Sequence, residues 1–191
     1  MIDIGAVVRF APIKDIKTML YAFFELSSRV PNVRLHIMGG VDDEDYAREC
    51  RELIEQLHLS ENVILTGRVM ITEYFPKLDF TILTSISEGQ PLSILESFSA
   101  RLPVVATDVG CCRELIFGEK GDALGSAGYC VPPMHRQALA DAMEKMCSSR
   151  TARLEMGKIG QKRVEMYYRH GQMIEKYRQL YIDVEAGLWQ A

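Results

Sequence analysis

Ser87-Glu88-Gly89-Gln90-Pro91-Leu92-Ser93-Ile94-Leu95-Glu96 joins a short apolar run, Phe80-Thr81-Ile82-Leu83, to a helical pattern. A strand that ends in a glycine-containing turn and feeds a helix aims backbone N–H groups at one point. The positive end of the helix dipole faces the same point, which suits a phosphate or a polar sugar. Two carboxylates eight residues apart, Glu88 and Glu96, flank that point. Acidic side chains beside an anion site make sense when the ligand also carries hydroxyls that need acceptors. A nucleotide-sugar is such a ligand.

The same strand-then-helix alternation runs outward from this stretch in both directions. Ile4 to Val8 is a short apolar run, and Ile16, Met19, Leu20, Phe23 and Val30 mark one helix face. Val33, Leu35 and Ile37 make a second strand that stops at Gly39-Gly40, and Tyr46, Cys50, Leu53, Ile54 and Leu57 mark the next helix. Asp42 to Asp45 favour the start of that helix through its dipole. Val63-Ile64-Leu65, Phe80 to Leu83 and Val104-Val105-Ala106 read as three further buried strands, the last entered through Pro103. Tyr129-Cys130-Val131 is a sixth, stopped by Pro132-Pro133. Short Val- and Ile-rich runs between amphipathic helices predict an α/β domain, a doubly wound, six-stranded parallel sheet of Rossmann type. From His135 to Trp189 the pattern is helical only, and Met173, Ile174, Tyr177, Leu180, Tyr181 and Val184 form an apolar stripe. That last helix must lie on this domain or on an absent partner.

Composition narrows the class. At 191 residues, with 48% hydrophobic and 25% charged residues, the chain suits one domain with one good core. A net charge of −4 argues against a nucleic-acid or anionic-membrane binder. No apolar run approaches the roughly 18–20 residues of a membrane span, and Met1-Ile2-Asp3-Ile4 does not open a secretory leader. Five cysteines without zinc-like spacing read as reduced thiols in a cytoplasmic protein. The four histidines are scattered and suggest no metal site.

In an open α/β sheet, ligands sit beyond the C-terminal ends of the strands. Arg9 follows the first strand and Lys14 lies beside the start of the first helix, so together they can clamp a diphosphate; the alternative is a solvated loop pair. Glu88 and Glu96 can each accept from vicinal hydroxyls, or simply be surface glutamates. Gly89 and Pro91, the latter at the first helical position, mark either a backbone cradle or a well-formed helix start. Thr107-Asp108-Val109-Gly110-Cys111-Cys112-Arg113-Glu114 is either a second ligand-facing turn or a loop with Asp108 as a helix cap. Thr66-Gly67-Arg68-Val69 either lines a base pocket or is only a turn.

Taken together, these segments resemble the C-terminal, donor-binding domain of retaining glycosyltransferases of the GT-B fold, in the large family numbered four. Glu88 to Glu96 matches that family's pair of glutamates separated by seven residues. Leu102 to Gly110 with Glu114, Val131-Pro132-Pro133 with Leu139-Ala140, and the Arg9/Lys14 spacing stand behind it. Pro12 to Thr18, Ser87 to Pro91 and Asp108 to Glu114 are most similar in wording to the branch that serves Pel exopolysaccharide synthesis.

The resemblance implies that Arg9 and Lys14 hold the donor diphosphate and that Glu88 contacts donor-sugar hydroxyls. The turn Gly89-Gln90-Pro91-Leu92 would meet sugar or phosphate through its backbone N–H groups, of which Pro91 supplies none. Glu96 would meet the ribose, and Arg68 and Val69 the base. It implies a UDP-hexose donor such as UDP-glucose, no bound metal and no cofactor. It also implies that residues 1–191 are one half of the enzyme, with a helical extension over about 135–191. The N-terminal acceptor domain would then be absent and the isolated half inactive, and membrane polysaccharide synthase components become candidate partners. Three departures stand out: Val8 in place of a glycine, Gln90-Pro91 in place of Phe-Gly, and Cys111 in place of a second glycine. Rival readings are a stand-alone nucleotide-sugar module, a nucleotide-sugar epimerase of the same shape, and a dinucleotide oxidoreductase. The last lacks the Gly-x-Gly-x-x-Gly turn after its first strand.

Overall fold

A computed structural model describes residues 1–119 and 121–188. Six strands form one sheet: β1 (Ile2–Val7), β2 (Val33–Met38), β3 (Val63–Gly67), β4 (Phe80–Leu83), β5 (Val104–Thr107) and β6 (Gly128–Val131). Their spatial order is β3-β2-β1-β4-β5-β6 and every neighbouring pair is parallel. The chain therefore winds outward from β1 to one edge, returns to the centre at β4, and winds outward to the other. The predicted doubly wound sheet is correct. Its first strand begins at Ile2, earlier than the apolar run suggests, because Ile2 to Val7 pair in unbroken register with Val33 to Met38.

Each strand feeds one face with alternate residues. Ile82 and Val105 face a core built with α1 (Ile16–Arg29), α2 (Glu44–Gln56) and α6 (Arg136–Ser148). Leu83, Val104 and Ala106 face a second core built with α4 (Leu92–Ser99) and α5 (Cys112–Phe117). A short α3 (Ile71–Tyr74), unmarked by sequence periodicity, closes a third cluster with Met38, Phe75, Leu78 and Leu102. The acidic run before α2 acts as expected, with the Asp43 carboxylate accepting from the Tyr46 N–H at 2.9 Å.

The remaining helices, α7 (Arg150–Tyr167) and α8 (His170–Glu185), continue the helical C-terminal region. Residues 189–191 of that predicted region lie outside the described residues. Helix α7 packs directly over α4, where Gly160 leaves room for the Phe98 ring and Gly157 for the Arg101 carbonyl. Two buried arginines anchor it. Arg153 donates to the carbonyls of Met146 and Cys147, both at 3.0 Å, and to Asp79. Arg163 is the largest fully buried side chain, donating to Asp122 and to the carbonyls of Leu115, Ile116 and Gly125. By contrast, α8 buries none of its residues, and its apolar stripe is largely open, with Tyr181 68% exposed.

The Arg163–Asp122 pair is a structural lock. Removing one partner strands the other charge in the interior, so Arg163→Ala should lower the unfolding free energy by about 3–5 kcal/mol in urea titrations. The Arg163 hydrogen bond holds the Asp122 carboxyl below its ordinary range. Its contribution is therefore complete above the unfolded carboxylate value of about 3.9 and is lost as pH falls through the lower folded value. Asp122→Asn should remove that acid-sensitive component, visible as a flatter stability-against-pH curve.

Candidate functional site

The strand order reverses between β1 and β4, so the loops leaving these two strands diverge to opposite faces and leave a crevice at their C-terminal ends. Three loops line it. After β1 the chain makes a 3-10 turn, Pro12–Lys14, and then Asp15 takes a left-handed conformation (φ 47°). The Asp15 carboxylate caps α1 by accepting from the Thr18 N–H. This sharp turn places Lys14 over the crevice.

The loop after β4 is stitched to that turn. The Ile86 N–H donates to the Ile13 carbonyl at 2.9 Å, and the Thr84 hydroxyl donates to the Lys14 carbonyl at 2.8 Å. The Lys14 ammonium donates to Glu88 Oε1 at 2.6 Å, and only 18% and 13% of these side chains is exposed. Ser85, fully buried, donates its hydroxyl to the same Oε1 at 2.6 Å. From β5, Thr107 donates to the Ser85 carbonyl at 2.7 Å.

The third loop packs beneath the glutamate turn. Gly110 has φ 50°, and a β-carbon there would stand 2.2 Å from the Glu88 carbonyl oxygen and 2.4 Å from that of Gly89. The Cys111 N–H donates to the Gly89 carbonyl at 3.0 Å, so Cys111 permits close backbone approach although it is not glycine. Asp108 is not the cap of α5. The structure gives that position to Cys111, and Asp108 pairs with Arg113 at 2.9 Å.

Helix α4 begins one residue later than the sequence suggests. Pro91 is its N-cap (φ −72°, ψ 112°), Leu92 is its first residue, and no side chain caps it. The lost N–H of Pro91 therefore belongs to the cap, while the N–H groups of Leu92 and Ser93 open the helix toward the crevice. Gly89 and Gln90 are exposed on the turn before it.

The structure thus brings Lys14 and Glu88 together but directs other candidates elsewhere. Arg9 is exposed and its guanidinium pairs with Asp42 at the start of α2. The reason is local: Phe10 donates to Gly40 and bridges Val41, which carries Arg9 toward the β2 loop. Arg68 leans over Gly40, where a β-carbon would come within 2.9 Å of its Nε, and Val69 packs against the Met38–Phe75 cluster. Glu96 sits with Leu92, Leu95, Tyr168, Tyr177 and Leu180 in an adjoining groove of about 720 Å³ between α4 and α8. Burial pushes its carboxyl above the ordinary range.

The site residues that sequence reasoning missed are Thr84 and Ser85, small hydroxyl residues at the end of β4. Their signal was the polar pair Thr84-Ser85 directly after an apolar run. Thr107 was placed in a candidate ligand-facing turn, but its bond to the Ser85 carbonyl was not foreseen. All five cysteines are free thiols. Among the described residues, no cluster of three or more His, Cys, Asp or Glu is placed to hold a metal, and no helix is long and apolar enough to cross a membrane.

The doubly wound parallel sheet with its trailing helices matches the fold of solved GT-B glycosyltransferases. Residues 2–163 match the family model for glycosyl transferases group 1, and the chain belongs to that family. It is 36% identical over 91 residues to the O-antigen biosynthesis glycosyltransferase WbnH of Escherichia coli, covering 48% of this chain and 25% of WbnH. Its backbone is similar to HepE of Anabaena, solved in complex with UDP and glucose, with a TM-score of 0.83 at 21% identity over 94% of this chain and 47% of HepE. It is also similar to the C-terminal domain of the group 1 protein LpcC from Francisella tularensis, with a TM-score of 0.77 at 23% identity over 88% of this chain and 87% of that domain. The chain spans only about a fifth to a third of the first curated relatives it matches.

Gly110→Ala tests the convergence of the three loops. The added methyl must push back the Glu88–Gly89 carbonyls and adopt a disfavoured φ, so the variant should lose more than about 1 kcal/mol of stability. Thermal unfolding would measure that loss, and amide shifts across residues 85–92 would show where it falls.

Proposed function

We propose that this domain binds the nucleotide-sugar donor of a retaining glycosyltransferase that builds a polysaccharide. The observation that carries this reading is the Lys14–Glu88 pair, held at the switch-point crevice beside the uncapped N-terminus of α4. A cation and a helix N-terminus suit a diphosphate, and a fixed carboxylate suits sugar hydroxyls. Both lie on the ligand-binding edge of the sheet.

On this reading, Lys14 and the first N–H groups of α4 hold the diphosphate and stabilise negative charge on the departing nucleotide, without a metal ion. Arg9 joins them by leaving Asp42, a surface pair whose loss costs little. Glu88 accepts from donor-sugar hydroxyls, Glu96 from the ribose, and the Arg68–Val69 turn neighbours the base. UDP-glucose or a related UDP-hexose is the donor, a choice supported by the UDP bound to HepE. Exopolysaccharide synthesis of the Pel type, in the cytoplasm beside membrane synthase components, is the finer assignment favoured by the wording around Glu88 and Asp108. An acceptor domain completes the reaction, so this half binds donor without transferring sugar.

Calorimetric titration with UDP in EDTA is the direct test. Binding that is lost in Lys14→Ala, with NADH inert, is the expected result; a folded sample that takes NADH and ignores UDP would overturn the assignment. Glu96→Gln should weaken UDP by about 1–3 kcal/mol while leaving the fold intact. Because burial raises the Glu96 carboxyl, it takes up its proton at a higher pH than an exposed glutamate. Part of the fall in UDP affinity on acidification, beyond that from the terminal phosphate of UDP itself, should therefore belong to Glu96. Glu96→Gln should remove that part and leave the component due to UDP.

A further inference from the structure

The inference rests on the donor-binding reading and concerns how the site tells a nucleotide-sugar from a bare nucleotide. Glu88 Oε1 receives two donors, the Lys14 ammonium and the Ser85 hydroxyl, each at 2.6 Å. Among the described residues its other oxygen, Oε2, has no hydrogen-bond partner. A carboxylate offers about four lone-pair positions. Two fixed donors on one oxygen therefore orient the group and leave the other oxygen as the acceptor presented to a ligand.

Ser85 is itself fixed. It is fully buried, and its carbonyl accepts from the buried Thr107 hydroxyl at 2.7 Å. Its own hydroxyl has a single proton, which goes to Glu88. The Thr84 hydroxyl on the preceding residue holds the Lys14 carbonyl, so the backbone beneath both partners of the ion pair is tied to the same end of β4.

We propose that Ser85 is a positioning residue for sugar recognition: it pins Glu88 Oε1 so that Oε2 is aimed at a hydroxyl of the donor hexose. Lys14, with further N–H groups beyond the one given to Glu88, spans from this carboxylate to the diphosphate. Loss of the Ser85 hydroxyl leaves Lys14 in place and frees the carboxylate to rotate. Discrimination between sugar-bearing and sugar-free nucleotide then falls, while nucleotide binding itself remains.

The experiment compares UDP with UDP-glucose, UDP-galactose and UDP-N-acetylglucosamine by calorimetry on the unaltered protein, Ser85→Ala, Ser85→Thr and Lys14→Ala. The expected outcome is a preference for one UDP-hexose over UDP in the unaltered protein. Ser85→Ala should reduce that preference about threefold to tenfold with UDP affinity unchanged, as expected for one hydrogen bond to a charged group. Ser85→Thr, which keeps the hydroxyl, should restore it, and Lys14→Ala should weaken all four ligands. Equal weakening of UDP and UDP-hexose in Ser85→Ala would mean a structural role and overturn the proposal. So would an undiminished preference, or no preference in the unaltered protein. If the unaltered protein binds none of the four, the donor-binding reading itself fails and this inference falls with it.

Discussion

Everything at the crevice depends on the reversal of strand order between β1 and β4. Parallel strands with right-handed crossovers must send successive helices to one face until the winding direction changes. Here it changes once, at the centre of the sheet, so α1 covers one face and α4 the other. The loops after β1 and β4 leave adjacent strands in opposite directions, which is where an open sheet of this kind leaves a crevice. The crevice is thus a consequence of topology, and the side chains at its rim need only be correct over a few residues. Two short hydrogen-bonded turns meet that need, one ending in left-handed Asp15 and the other braced from below by Gly110.

Much of this was legible in sequence, and the reason is physical. A strand buried on both faces is a short apolar run, which is how β4 and β5 read, both buried throughout, while β2 and the edge strand β3 show alternation instead. The glutamate turn was legible because glycine, proline and a following apolar period punctuate it strongly. What escaped notice has equally specific causes. Helix α3 is four residues long, too short to show a period. Pro91 was placed one residue too far into the helix because proline is accepted at either position, and only backbone dihedrals distinguish them. Asp108 looked like a cap, but Cys111 takes that place once Gly110 turns the chain against the Glu88 carbonyl.

The site itself was half legible. Lys14 and Glu88 lie 74 residues apart in sequence, and their contact follows from strands β1 and β4 being neighbours. Arg9 and Lys14, only five residues apart, end up with different partners, because the bridge from Phe10 to Val41 turns Arg9 toward Asp42. Proximity along the chain was the weaker guide, and strand order the stronger. The hydroxyls of Thr84, Ser85 and Thr107 carry no periodic signal, since a buried serine or threonine looks the same in a sequence whether it serves a fold or a site.

Comparing the ion pairs separates those two uses of charge. Arg163 and Asp122 are 1% and 3% exposed, and the guanidinium also satisfies three backbone carbonyls. Nothing is left over on that arginine, so its desolvation is offset within the fold and its work is structural. Lys14 and Glu88 are more open, at 18% and 13% exposed, and each keeps unspent capacity: N–H groups on one and a whole carboxylate oxygen on the other. Neither the Lys14 side chain nor Glu88 Oε2 is sealed from solvent, so that capacity is open to exchange water for another partner. That remaining capacity faces outward from a polar cluster fixed at the ends of β1 and β4, and this separates a charge pair open to a ligand from one that only holds the fold.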